Sequence, residues 1–141
     1  MEFGSIEREI HIEATPEVVY QVISTPEHLR EWWPDEADLT PAPGAEGTIT
    51  FGESKIVPLT VVEADPPRRF SFHWAFPNPL KVTFDLIPSG AGTLVRFSET
   101  GFREKGWEAA VLEEWYTDHA RGWDHFLPRL VAYAARLASA R

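Results

Sequence analysis

An α+β domain is what this sequence predicts, on three observations. Segments between Arg69 and Glu99 alternate apolar and polar side chains with period two. Two short Thr-Pro-Glu helix starts, at Thr15-Pro16-Glu17 and Thr25-Pro26-Glu27, follow a first amphipathic strand. The last third changes to three- and four-residue spacing, the mark of a long amphipathic helix.

In chain order, Ile6, Ile10 and Ile12 alternate with Glu7, Glu9, His11 and Glu13, a half-buried strand. Val19, Tyr20 and Ile23 form the apolar side of the first helix, and Leu29, Trp32 and Trp33 that of the second. Pro34 ends the second helix, because a proline disfavours helical backbone in the residue before it. A polar, proline-rich connection from Asp35 to about Pro43 leaves room for one short strand. Strands are expected at Gly47–Phe51 and Ile56–Ala64, with Pro58 marking an edge or a bulge. Phe70, Phe72, Trp74 and Phe76 then alternate with Arg69, Ser71, His73 and Ala75. Leu80, Val82, Phe84 and Leu86 continue the pattern, and after a Ser89–Gly92 turn so do Thr93, Val95, Phe97 and Glu99. Such a run is an antiparallel meander. From Trp107 on, the stripe Tyr116, His119, Trp123, Leu127, Leu130, Ala134 and Leu137 lies on one helical face, with Pro128 expected to bend it.

At 141 residues, one domain spanning 1–141 is expected. Lys and Arg number 13 against 22 Asp and Glu, and a net charge of −9 repels a phosphate backbone. The sequence has no cysteine, which removes disulfides, thiolate metal sites and cysteine nucleophiles. No run is long and apolar enough for a membrane span, and Met1–Ser5 lacks the features of a signal peptide, so a cytoplasmic location is expected. Residues 2–5 read equally as a native start or a cloning scar.

Chemistry-bearing patterns are sparse. His119 and His125 lie on different helix faces, which disfavours a shared metal. Asp118-His119 and Asp124-His125 are neighbours in sequence that point about 100° apart, so neither pair builds a triad. No glycine-rich phosphate loop is present. Catalytic residues, cofactor and metal are therefore all expected to be absent. Glu113, Glu114 and Asp118 read as a solvated helix face. Two features stand out. The inner sheet face carries Phe70, Phe72, Trp74, Phe76, Phe84 and Phe97 opposite Tyr116 and Trp123. Rings of that size either fill the core or hold sheet and helix apart around a cavity. Glu99 continues the inward series, with His119 in reach from the helix. The two form a ligand-orienting polar pair, a satisfied structural pair, or a strand end in water.

Several segments in series carry a family resemblance: Ala14–Tyr20, Pro26–Trp33, Val61–Phe70, Phe72–Trp74, Gly92–Phe97 and Gly122–Leu127. In this order and spacing the chain, from about residue 6 to 138, resembles the heat-shock-protein-90 ATPase activator-like branch of the START/SRPBCC superfamily. The resemblance implies a helix-grip fold, in which a curved antiparallel sheet wraps around a long C-terminal helix and two short helices follow the first strand. It also implies a ligand site between sheet and helix, lined by Trp33, Phe72, Trp74, Phe84, Phe97, Glu99, Tyr116, His119 and Trp123. The eukaryotic chaperone activators carry a separate N-terminal domain for which these 141 residues leave no room. The polar pocket residues of the superfamily's aromatase/cyclases have no assigned counterpart here. Three functions follow in order of preference: non-enzymatic binding of a small apolar or aromatic molecule, a cyclase-like enzyme using Glu99 and His119, and a chaperone-interacting module. Monomer and homodimer are both compatible.

Overall fold

In a computed structural model, residues 5–53, 55–74, 80–102 and 109–140 are described. Phe76, Trp107 and the first four residues lie outside them. Strand β1 (Ser5–Ile12) leads into helices α1 (Pro16–Ser24) and α2 (Pro26–Trp32). Strands β2 (Glu36–Asp38), β3 (Glu46–Phe51), β4 (Lys55–Asp65), β5 (Arg69–Trp74), β6 (Leu80–Ser89) and β7 (Gly92–Thr100) follow, and α3 (Ala109–Ser139) ends the chain.

The strands form one seven-stranded sheet in the order β1-β7-β6-β5-β4-β3-β2, with every pair antiparallel. Strands β2 to β7 are a simple meander, and β1 adds to its far edge against β7. Phe70, Phe72, Val82, Phe84, Leu86, Val95 and Phe97 are buried on the inner face, as their alternation demands. The outer face carries a cross-strand ladder in which Arg69 contacts both Asp85 and Glu63, and Lys81 also reaches Glu63.

Pro58 marks neither an edge nor a bulge, because β4 pairs with β3 on one side and β5 on the other. Val61 gives its N–H to the Ala45 carbonyl, so by alternation the N–H that Pro58 lacks falls on the β5 side. The described pairing with β5 starts only at Leu59–Trp74. The bulge lies further along, between Val61 and Glu63. Its extra residue lets Val61 and Ala64 stand opposite Phe72 and Phe70.

Thr15 caps α1 through an N–H···O bond from Val18, with Pro16 in the first turn. Thr25 serves both short helices: its hydroxyl donates to the Gln21 carbonyl as α1 ends, and α2 begins at the next residue. The Trp32 indole donates to the Val22 carbonyl and locks the pair together.

Helix α3 has 31 residues, about 46 Å at 1.5 Å per residue. Trp123, Leu127, Leu130 and Ala134 of its stripe are buried, while Tyr116, His119 and Leu137 are half-buried. Pro128 stands within this single helix at an exposed position. Side-chain ties to β1 and α2 help hold the helix in place. Arg8 on β1 makes a two-pronged ion pair with Asp124 at 2.8 and 3.2 Å, and His28 on α2 meets the Tyr133 hydroxyl at 2.7 Å. Among the described residues no helix is long and apolar enough to cross a membrane.

Candidate functional site

Glu99 sits near the end of β7, where register places it opposite Ile6 and Val82, and it is fully buried. Three ring nitrogens converge on its carboxylate. Trp74 Nε1 donates to Oε2 at 2.7 Å, Trp123 Nε1 donates to Oε1 at 3.0 Å, and His119 Nδ1 lies 2.8 Å from Oε1. A buried carboxylate costs several kcal/mol unless its oxygens are satisfied, and here both are. The cluster joins β5, β7 and α3 at one point.

In front of this cluster lies a cavity of about 630 Å³, bounded by Trp33, Phe51, Val57, Trp74, Trp115, His119, Gly122, Trp123 and Phe126, with Lys55, Glu114 and Asp118 at its exposed margin. Trp33 is the hub of the wall. Its ring centroid lies 5.0 Å from Trp74, 5.2 Å from Trp123, 5.6 Å from Phe72 and 6.0 Å from Phe51. It holds this place because α2 stops one residue earlier, before Pro34, and turns the indole under the sheet. His119 is wedged among Phe102, Trp74 and Trp115 at 5.6, 5.7 and 5.8 Å.

Of the residues expected in a pocket, Trp33, Trp74, His119 and Trp123 line the cavity. Glu99 lies behind them and reaches it only through the rings it holds. Phe72, Phe84 and Phe97 are buried in closed packing, with the Phe97 ring tilted against Trp123 at 4.5 Å and edge-on to Phe84 at 5.3 Å. Tyr116 packs edge-on to Phe102 at 5.5 Å, away from the cavity lining. The sequence reading passed over Phe51, Val57, Trp115, Gly122 and Phe126. A signal existed for each. Phe51 continues the inward series of Ile49, and Val57 that of Leu59 and Val61. Trp115, Asp118, Gly122 and Phe126 form a second stripe one residue ahead of Tyr116, His119, Trp123 and Leu127. Glu114 and Asp118 are exposed, as a solvated face requires, yet they also flank the cavity.

The matching family model is that of the activator of Hsp90 ATPase homolog 1-like proteins, over residues 13–135. This chain belongs to that family. The helix-grip architecture of the START/SRPBCC superfamily recurs among solved structures. Protein MLL2253 from Mesorhizobium loti superposes with a TM-score of 0.82 at 24% identity, over 94% of this chain and 97% of that one. The Aha1 dimer from Colwellia psychrerythraea gives 0.75 at 22% identity, over 90% and 92%. DynU16, from the dynemicin biosynthetic locus, gives 0.79 at 17% identity over 98% of this chain, which spans only 49% of DynU16. No curated protein matches the sequence.

Proposed function

We propose that this protein binds a small apolar or aromatic molecule in the cavity between β3–β5 and α3. The observation that carries the reading is the cavity itself: about 630 Å³ walled by four tryptophans and two phenylalanines, with His119 in the wall and charged side chains at the margin. Pockets of this size with few polar groups suit drug-sized ligands. Part of the wall is fixed before any ligand arrives, because Glu99 pins Trp74, Trp123 and His119 in place. The superfamily includes ligand-binding members, which is consistent with this use of the same hollow.

The test is a thermal-unfolding screen of neutral polycyclic aromatics against the protein and a Gly122→Leu variant. A Cβ built on Gly122 meets nothing within 4 Å, so the larger side chain enters the cavity without a clash at its base. A ligand at 100 times its Kd stabilises the protein by about 2.7 kcal/mol, and the variant loses that gain. If no compound raises the midpoint, or if the variant responds equally, the cavity is not a binding site.

One observation favours a second reading. An imidazole held by a buried carboxylate beside a cavity is the layout of a general base, as in a cyclase-like enzyme. In that case Glu99 is a positioning residue and His119 meets the substrate. Its signature is turnover of a bound compound that is lost in His119→Phe while binding persists.

A further inference from the structure

Gly122 lies in the interior of α3, where helix propensity argues against it. Glycine there costs stability relative to alanine, because its backbone loses more freedom on folding. Other glycines of the chain have a local reason. A Cβ on Gly47 or Gly92 would strike the Asp38 or Ile12 carbonyl oxygen, and Gly90 turns the β6–β7 hairpin with a φ of 61°. Gly122 meets neither demand: its backbone is not left-handed, and a Cβ built on it finds nothing within 4 Å. What it has instead is a place in the cavity lining. Trp115, Asp118 and Phe126 line the cavity from the same stripe of the helix, so Gly122 is a gap in a row of side chains. From Asp118 to Phe126 that gap runs about 12 Å along the helix axis. A side chain at 122 would lean toward the helix N-terminus, over the space beside Asp118 and Trp115.

We infer that Gly122 determines the size of ligand this cavity admits: a rigid body of three or four fused rings lies on the bare helix backbone there, and the sequence forgoes a stabilising side chain to keep that space. The inference rests on the cavity-binding reading above and adds what sets the breadth of the ligand. Helix backbone without a side chain offers a broad, shallow floor, which suits a flat ring system. The walls beside it do not retreat to make room, since Glu99 holds Trp74 and Trp123. Each carbon added at position 122 is therefore subtracted from the ligand. In an apolar pocket a single methylene changes affinity tenfold or more. A glycine kept at a cost in stability where nothing in the fold requires it is the pattern of a stability–function trade-off.

Fluorescence titrations with naphthalene, phenanthrene and pyrene are the test, run on the natural sequence, Gly122→Ala and Gly122→Val. In the natural sequence, affinity is expected to rise with the number of rings. The ratio of pyrene to naphthalene affinity falls about tenfold in Gly122→Ala and further in Gly122→Val. Without ligand, the unfolding midpoint of Gly122→Ala rises by roughly 2–4 °C, the reverse of what a glycine needed by the fold would show. Naphthalene binding as tightly as pyrene, an unchanged ratio in both variants, or a lower midpoint for Gly122→Ala would each overturn the size-determining role while leaving the cavity reading intact. Binding of none of the three probes to the natural sequence removes the cavity reading and the inference with it.

Discussion

Sheet and helix meet in two unlike halves. Toward the C-terminal end of α3, Leu127, Leu130 and Ala134 are buried with α1 and α2 closing the layer, and Phe70 packs on Tyr20 at 6.0 Å and Phe84 on Trp32 at 6.4 Å. Toward its N-terminal end, Trp33, Phe51, Trp74, Trp115 and Phe126 use the same kind of side chain and border about 630 Å³ of half-open space. Ring size therefore does not make a cavity. What differs is cover: the two short helices sit over the first half, and nothing among the described residues sits over the second. Phe72 and Phe97 show the boundary, since they contact Trp33 and Trp123 of the open half yet are themselves fully packed.

Breaking the boundary itself has the largest expected effect. Glu99→Ala leaves the indole N–H groups of Trp74 and Trp123 and the His119 Nδ1 without their shared partner, at a cost of about 3–5 kcal/mol in urea unfolding. In the closed half, Phe84→Ala costs about 3–4 kcal/mol and leaves the affinity for aromatic probes unchanged. Its counterpart in the open half, Phe126→Ala, costs about 1 kcal/mol or less and weakens that affinity several-fold. If the two phenylalanines behaved alike in both measurements, the division into a structural and a binding half would be false.

Smaller effects sharpen the contrast. Gly122→Ala is expected to stabilise the protein by about 0.5–1 kcal/mol, because the position is helical and its Cβ meets nothing within 4 Å. The Arg8–Asp124 tie contributes least, about 0.5 kcal/mol or less, since both side chains are partly in water. The Arg8 hydrogen bond holds the Asp124 carboxyl below its ordinary value, and the same bond raises Arg8. A lowered carboxylate stabilises the fold above its unfolded-state value and loses that contribution as pH falls through the folded one. The stability difference between the natural sequence and Arg8→Met is thus expected near neutrality, to shrink below about pH 4, and to diminish with added salt. Persistence of that difference in strong acid would assign it to packing of the arginine stem instead.

Much of the architecture was legible from local rules. Period-two alternation located the strands of the meander, Thr-Pro-Glu marked both short helices, and the Tyr116-to-Leu137 stripe identified the face that α3 turns inward. Pro58 misled about the edge because strand propensity says nothing about which neighbours a strand gains, and β4 lies between β3 and β5. The site was half legible. Alternation pointed Glu99 inward and helical phase brought His119 to it, but the same rules could not separate Trp74 from Phe84, since both occupy inward positions.

Sequence periodicity alone, then, settled which side chains face the interior, because a residue's direction depends on its backbone phase and needs no knowledge of partners. Which inward residues are packed and which border open space was decided only in three dimensions. That depends on where α1 and α2 end over the sheet and where α3 crosses it, quantities set by contacts between segments far apart in the chain. The three-way grip on Glu99 belongs to the same class: its members come from β5, β7 and α3, and only their convergence turns a costly buried charge into an anchor for the cavity wall.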